Sequence, residues 1–149
     1  MSLRRACAPA LVLALAAAGC GSSVNMSDRA LREAATRVCT GATQHLNDIP
    51  TPQVPSGGAA FLRRGVGALR PELTALSAMH PGGELGTRFR NGLAAGQQEL
   101  KVLQSSLKGL QAGNDPIVAI KTLQTQLAPL EKQARAAWRA AGVPACAGS

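Results

Sequence analysis

Beyond residue 26 the apolar residues recur at alternating steps of three and four, the spacing at which side chains share one face of an α-helix. In the first such run Leu31, Ala35, Val38 and Ala42 trace one face, His45 takes the next step, and Ser27 and Asp28 stand where a helix starts. Pro50, Pro52 and Pro55 must end that helix and extend the chain. The second run steps through Leu62, Val66, Leu69, Leu73 and Leu76; Pro71 is expected to kink or split it, and His80-Pro81-Gly82-Gly83 closes it. The third holds its rhythm furthest, through Leu85, Phe89, Leu93, Gly96, Leu100, Leu103, Leu107 and Leu110, and predicts the longest helix. Gly113 is placed to cap it, Asp115 to cap the next, and Pro116 falls in a first turn, where its missing donor costs nothing. The fourth run comprises Ile120, Leu123, Leu127, Leu130, Ala134, Ala137 and Ala141, with Pro129 as another expected kink and Gly142-Val143-Pro144 as its stop.

Four amphipathic segments joined by short turns predict an all-α fold, an antiparallel four-helix bundle whose stripes share one core. Trp138 is expected to pack as a core or cover residue under the C-terminal tail, the alternative being a grip on a ligand, because burial is the commoner use of a lone tryptophan.

The N-terminus is patterned differently. Arg4 and Arg5 precede an apolar stretch, Ala8 to Ala18, too short to span a bilayer, which is the layout of an export signal. Ala17-Ala18-Gly19-Cys20 resembles the bacterial lipobox, although Ala17 stands where that family most often has Leu. The resemblance implies cleavage before Cys20 and a diacylglycerol on its thiol, with Gly21, Ser22 and Ser23 as a flexible tether. Residues 1–19 are then a signal peptide, 20–26 the lipidated cysteine and tether, and 27–149 the helical domain. Each buried methylene contributes about 0.8 kcal/mol, so more than one acyl chain holds such a protein stably on the membrane without crossing it.

With Cys7 lost to the signal and Cys20 to lipid, Cys39 and Cys146 remain. In an oxidising compartment a disulfide between them is the most economical reading; a metal site and a reactive thiol are the alternatives, and neither CxxC nor an acidic cluster supports a metal. Closing a loop of about a hundred residues is worth about 4 to 5 kcal/mol in the chain-entropy account. Geometry allows the pairing. In an up-down-up-down bundle the fourth helix ends beside the start of the first, Cys39 lies about 18 Å along that first helix, and five extended residues beyond Ala141 reach about 17 Å. The C-terminal tail is therefore expected to fold back and be disulfide-linked to the first helix.

The chain carries 16 basic and 8 acidic residues, a formal charge of +8, and removing Arg4 and Arg5 leaves 14 basic against 8. This excess favours the membrane surface, an anionic surface polymer or an acidic envelope protein as partner. Nucleic acid is not expected: there is no Tyr, and Phe61, Phe89 and Trp138 are the only aromatic residues available for stacking. Arg63, Arg64 and Arg70 on the second helix, with Arg88 and Arg90 opening the third, form a candidate basic patch, the alternative being scattered solvated charge. Arg29, Arg32 and Arg37 lie nearest the tether, where each contact to anionic lipid is worth about 1 kcal/mol.

Catalytic groups are sparse. His45 and His80 fall near helix ends, without a His or Glu at the spacing that completes a metal pair, and Glu33, Glu72, Glu84, Glu99 and Glu131 are dispersed and read as solvated. No GxSxG, HExxH, phosphate-binding or dinucleotide fingerprint occurs. No catalytic residue, metal or cofactor is expected, and the chain reads as a non-enzyme. The ending Ala137-Trp138-Arg139-Ala140-Ala141-Gly142-Val143-Pro144-Ala145-Cys146 and the composition resemble small Ala- and Arg-rich helical lipoproteins of high-GC Gram-positive bacteria. That resemblance implies location and fold but no substrate. The leading expectation is a lipid-anchored extracytoplasmic module that presents a helical face to a partner. The second is a carrier of a small apolar ligand, marked by a cavity between the second and third helices near Gly92 and Gly96; a hydrolase is a distant third.

Intact-mass analysis of cell fractions is expected to find a membrane-bound form that begins at Cys20 and carries a diacylglycerol, and to lose it in Cys20→Ala. Unmodified protein in the medium would overturn the anchor.

Overall fold

The computed structural model describes residues 27–148, and among them forms four α-helices and no strand. Helix α1, Asp28–Asn47, starts where Ser27 Oγ accepts from the Ala30 N–H at 3.3 Å, with Asp28 in its first turn and His45 in its last, as the helix dipole favours. It buries Leu31, Ala35, Cys39 and Ala42. Cys39 thus takes the central place expected of Val38, which packs half-buried beside the core. His45 is exposed, so the stripe ends at Ala42. After the proline-rich connection a 3-10 turn, Pro55–Gly57, leads into α2, Gly58–Ser77.

Helix α2 runs unbroken through Pro71, and α4, Pro116–Ala140, runs unbroken through Pro129, so neither proline splits its helix. Each proline removes the bond to the carbonyl four residues back, on Gly67 and Thr125 respectively. Both prolines and both of those residues are exposed, so water is at hand for the freed carbonyls. The long helix α3, Gly83–Gln111, ends as predicted at Gly113, whose φ of 91° lies in the region glycine favours. The N–H groups of Gly113 and Asn114 bond back to Leu110 and Gly109, which closes a Schellman turn. Asp115 Oδ1 then accepts from the Ile117 and Val118 N–H groups at 2.9 and 3.0 Å and opens α4 behind Pro116.

A second Schellman turn ends α4. Gly142, at φ 74°, and Val143 donate to the carbonyls of Arg139 and Trp138, each at 3.0 Å, and the chain reverses into a 3-10 turn, Pro144–Ala147. This returning tail packs on both α4 and α1, and Cys146 is disulfide-bonded to Cys39 with 5.0 Å between their Cα atoms, as expected. Arg32 Nε adds a 3.0 Å hydrogen bond to the Ala141 carbonyl. Around the chain α1 packs on α2, α2 on α3 and α3 on α4, whereas α1 and α4 meet chiefly through the tail between them.

The core is concentrated at this tail-bearing end: Leu31, Ala35, Cys39, Leu76, Leu85, Phe89, Ala95, Trp138, Val143 and Ala147 form one buried cluster. Phe89 and Trp138 meet edge to face, ring centroids 5.1 Å apart. The indole lies directly on Gly92, where an added Cβ would come within 2.6 Å of Trp138 Cδ2; the buried line of α3 therefore passes through Gly92 and Ala95, with Leu93 half-buried to one side. Toward the opposite end Leu100, Leu103, Leu107, Leu110, Leu127 and Leu130 are only half-buried.

Gly92→Ala is expected to destabilise the protein by about 1 to 3 kcal/mol, because Trp138 cannot retreat from the packed cluster. Gly67→Ala, exposed in α2 with nothing within 4 Å of the new methyl, is expected to stabilise it by about 0.5 to 1 kcal/mol. Paired thermal melts check both signs.

Candidate functional site

Below the tail, where nothing fills the space between α1 and α4, a cavity of about 440 Å³ opens. Its lining follows from helical spacing. Phe61, Leu62, Gly65, Leu69 and Glu72 advance by one, three, four and three along α2 and so share a face. Glu99 and Leu103 do the same on α3, as do Leu127, Glu131, Ala134 and Arg135 on α4. Thr43, Leu46 and Ile49, from α1 and the residues after it, close another side, and Ala145 to Gly148 of the tail form the end wall. Phe61 and Leu46 are exposed by more than a third and still line the cavity, which places them at its mouth.

The disulfide thus has two roles in this region. It pins the tail to α1, and Cys146 is itself part of the wall. The hydroxyl of Thr43 donates to the Cys39 carbonyl at 2.9 Å, so it is engaged within its own helix.

Three glutamates, one from each of α2, α3 and α4, converge here with Arg135. Glu72 is pushed from its ordinary 4.5 to about 7, first by burial and then by the negative charge of Glu99. Burial likewise raises Glu99 to about 7, Glu131 adds to the rise, and Arg135 opposes it. Ion pairs among the described residues lie elsewhere, joining Arg29 to Glu33 and Arg88 to Glu84, so these cavity carboxylates have no such partner. The reading of all five glutamates as solvated therefore holds for the exposed Glu33, Glu84 and Glu131 and fails for Glu72 and Glu99. A signal was available. Glu72 follows Leu69 by three, Glu131 follows Leu127 by four, and Glu99 precedes Leu103 by four, so each sits on the margin of its apolar stripe.

The space near Gly92 and Gly96, where a cavity would have marked the carrier, is filled. Trp138 fills the first position, and Leu73 Cδ2 would lie 2.8 Å from a Cβ at the second. Gly92 and Gly96 serve close packing, and the open space lies farther along the helices, beside Leu69, Glu99 and Leu103. His45 and His80 are exposed at the ends of α1 and α2, and no group of metal-ligating side chains is assembled among the described residues. All five arginines of the basic patch are exposed. Arg88 binds Glu84 and donates to the Ala140 carbonyl at 3.1 Å, and Arg90 donates to Thr87 Oγ1 at 3.1 Å; Arg63, Arg64 and Arg70 stand on α2. The export signal, Cys20 and the tether lie outside the described residues. Among the described residues no helix is long and apolar enough to cross a membrane. No family model matches this chain, and no curated protein or solved structure matches it.

The two raised carboxyls make stability depend on pH. Each binds its proton more tightly folded than unfolded, so stability is greatest below about pH 4.5 for these groups and declines as pH rises through about 7. Glu72→Gln or Glu99→Gln is expected to raise stability at pH 8 by about 1 kcal/mol each, allowing for partial water screening, and to flatten the decline between pH 5 and 8. Denaturant titrations at both pH values check this.

Proposed function

We propose that this chain is a lipid-anchored protein of the extracytoplasmic face of a bacterial membrane whose helices, arranged as an antiparallel bundle, carry a small ligand with an apolar body. Its role on this reading is non-catalytic. The observation that supports the carrier is the cavity of about 440 Å³, within the range of roughly 300 to 1,000 Å³ typical of small-molecule sites. Its walls are mostly leucine and other apolar side chains from all four helices and the tail, and a few polar groups converge in it, as in sites that orient an amphipathic guest. Export and lipidation at Cys20 rest on the lipobox resemblance and on an N-terminal apolar stretch too short to span a bilayer.

A second reading, a module that docks on an envelope protein, draws on Val54, Ile117 and Val118, which are 58%, 54% and 62% exposed. Val54 directly precedes the 3-10 turn that packs on α4, and Ile117 and Val118 lie in the first turn of α4.

Methyl NMR with 1-octanol separates the two. A carrier is expected to shift the methyls of Leu62, Leu69, Leu103 and Leu127, to leave those of Leu31 and Leu76 in the core unmoved, and to lose the effect in Leu69→Trp, which fills the cavity. Shifts confined to Val54, Ile117 and Val118, or none at all, would remove the carrier.

A further inference from the structure

The cavity's walls are unequal in charge. Residues contributed by α1, the following loop and the tail are uncharged, whereas α2, α3 and α4 bring Glu72, Glu99, Glu131 and Arg135: three carboxylates against one guanidinium. Glu131 and Arg135, one turn apart on α4, act on Glu99 in opposite senses, the first raising it and the second lowering it. Glu72 and Glu99 come from adjacent packed helices, the charge of Glu99 bears on Glu72, and neither has an ion-pair partner. Half-buried carboxylates without an ion-pair partner are costly, and a cation between them would relieve both desolvation and repulsion.

The apolar lining runs from that point in one direction. Leu69 lies one turn before Glu72, Leu103 one turn after Glu99, and Phe61, at the mouth, about 16 Å along α2 from Glu72. A guest with a polar head against the carboxylates therefore has an apolar path toward the opening.

We propose that the cavity takes an amphiphilic cation, an alkylammonium-like molecule whose charged head sits between Glu72 and Glu99 and whose apolar body lies along Leu69 and Leu103 toward Phe61. This rests on the carrier reading and adds the charge of the guest. Because Glu72 and Glu99 take up protons near neutrality, binding of the cation weakens as the pH falls. Glu131 and Arg135 are the other charged groups facing the pair, both from α4; Arg135 opposes the guest, and Glu131 assists it.

Calorimetric titration of the purified protein with octylamine, 1-octanol and octanoate compares one apolar body with three charges. At about pH 8 octylamine is expected to bind roughly tenfold or more tightly than octanol, with octanoate weakest. The advantage should vanish in the double variant Glu72→Gln with Glu99→Gln, which still binds octanol and so reports an intact cavity, and should shrink in the unaltered protein at about pH 5.5. Arg135→Gln should strengthen octylamine. Octanol binding as tightly as octylamine, or octanoate binding best, would overturn the cationic guest and leave the carrier standing. If none of the three binds, the carrier reading falls and this inference falls with it.

Discussion

The link between Cys39 and Cys146 is the constraint on which the rest of the architecture depends. It draws the last turn of the chain against the first helix across a sequence separation of 107 residues. The tail so held occupies the seam between α1 and α4, and its buried Val143 and Ala147 complete the cluster around Phe89 and Trp138. Packing alone would have to hold that short segment against the entropy of a free terminus. One covalent bond replaces that requirement, and it does so at only one end of the seam. Farther down, α1 and α4 have no comparable tie, and the cavity occupies the gap.

Much of this was legible in the residues. Ser27, Gly113 and Asp115 act locally, through a capping oxygen or a positive φ, and such devices work wherever the chain happens to fold. The same holds for the cysteine pair once the helix order is accepted. What periodicity could not convey was which margin of each stripe would face which neighbour. Val38 and Cys39, or Leu93 and Gly92, differ by one step of about 100° on a helix, and the choice between them was made by the tail and by Trp138, both distant in sequence. That Pro71 and Pro129 leave their helices continuous has a related reason, since the cost of a proline depends on whether the freed carbonyl meets water. The glutamates were harder still. Each looks like an ordinary flank of an amphipathic helix, and only the meeting of three flanks around an unfilled space removes Glu72 and Glu99 from bulk solvent.

The molecule is consequently uneven from end to end. Large rings, small residues and the disulfide make one end tight, and half-buried leucines with shared charges make the other more open. Close packing and open space compete for the same volume, and here they are separated along the helices.

Covalent topology carries one more consequence. Because the bond joins residue 39 to residue 146, a single backbone cut anywhere between them leaves two pieces that remain one molecule. The exposed, proline-rich connection after α1 is the natural place for such a cut, since it is the longest stretch outside the helices among the described residues. A nick there would separate α1 from α2 in the chain but not in space, because the tail would still hold α1 in place. The architecture therefore tolerates damage at its most accessible loop and concentrates its vulnerability in a single sulfur–sulfur bond.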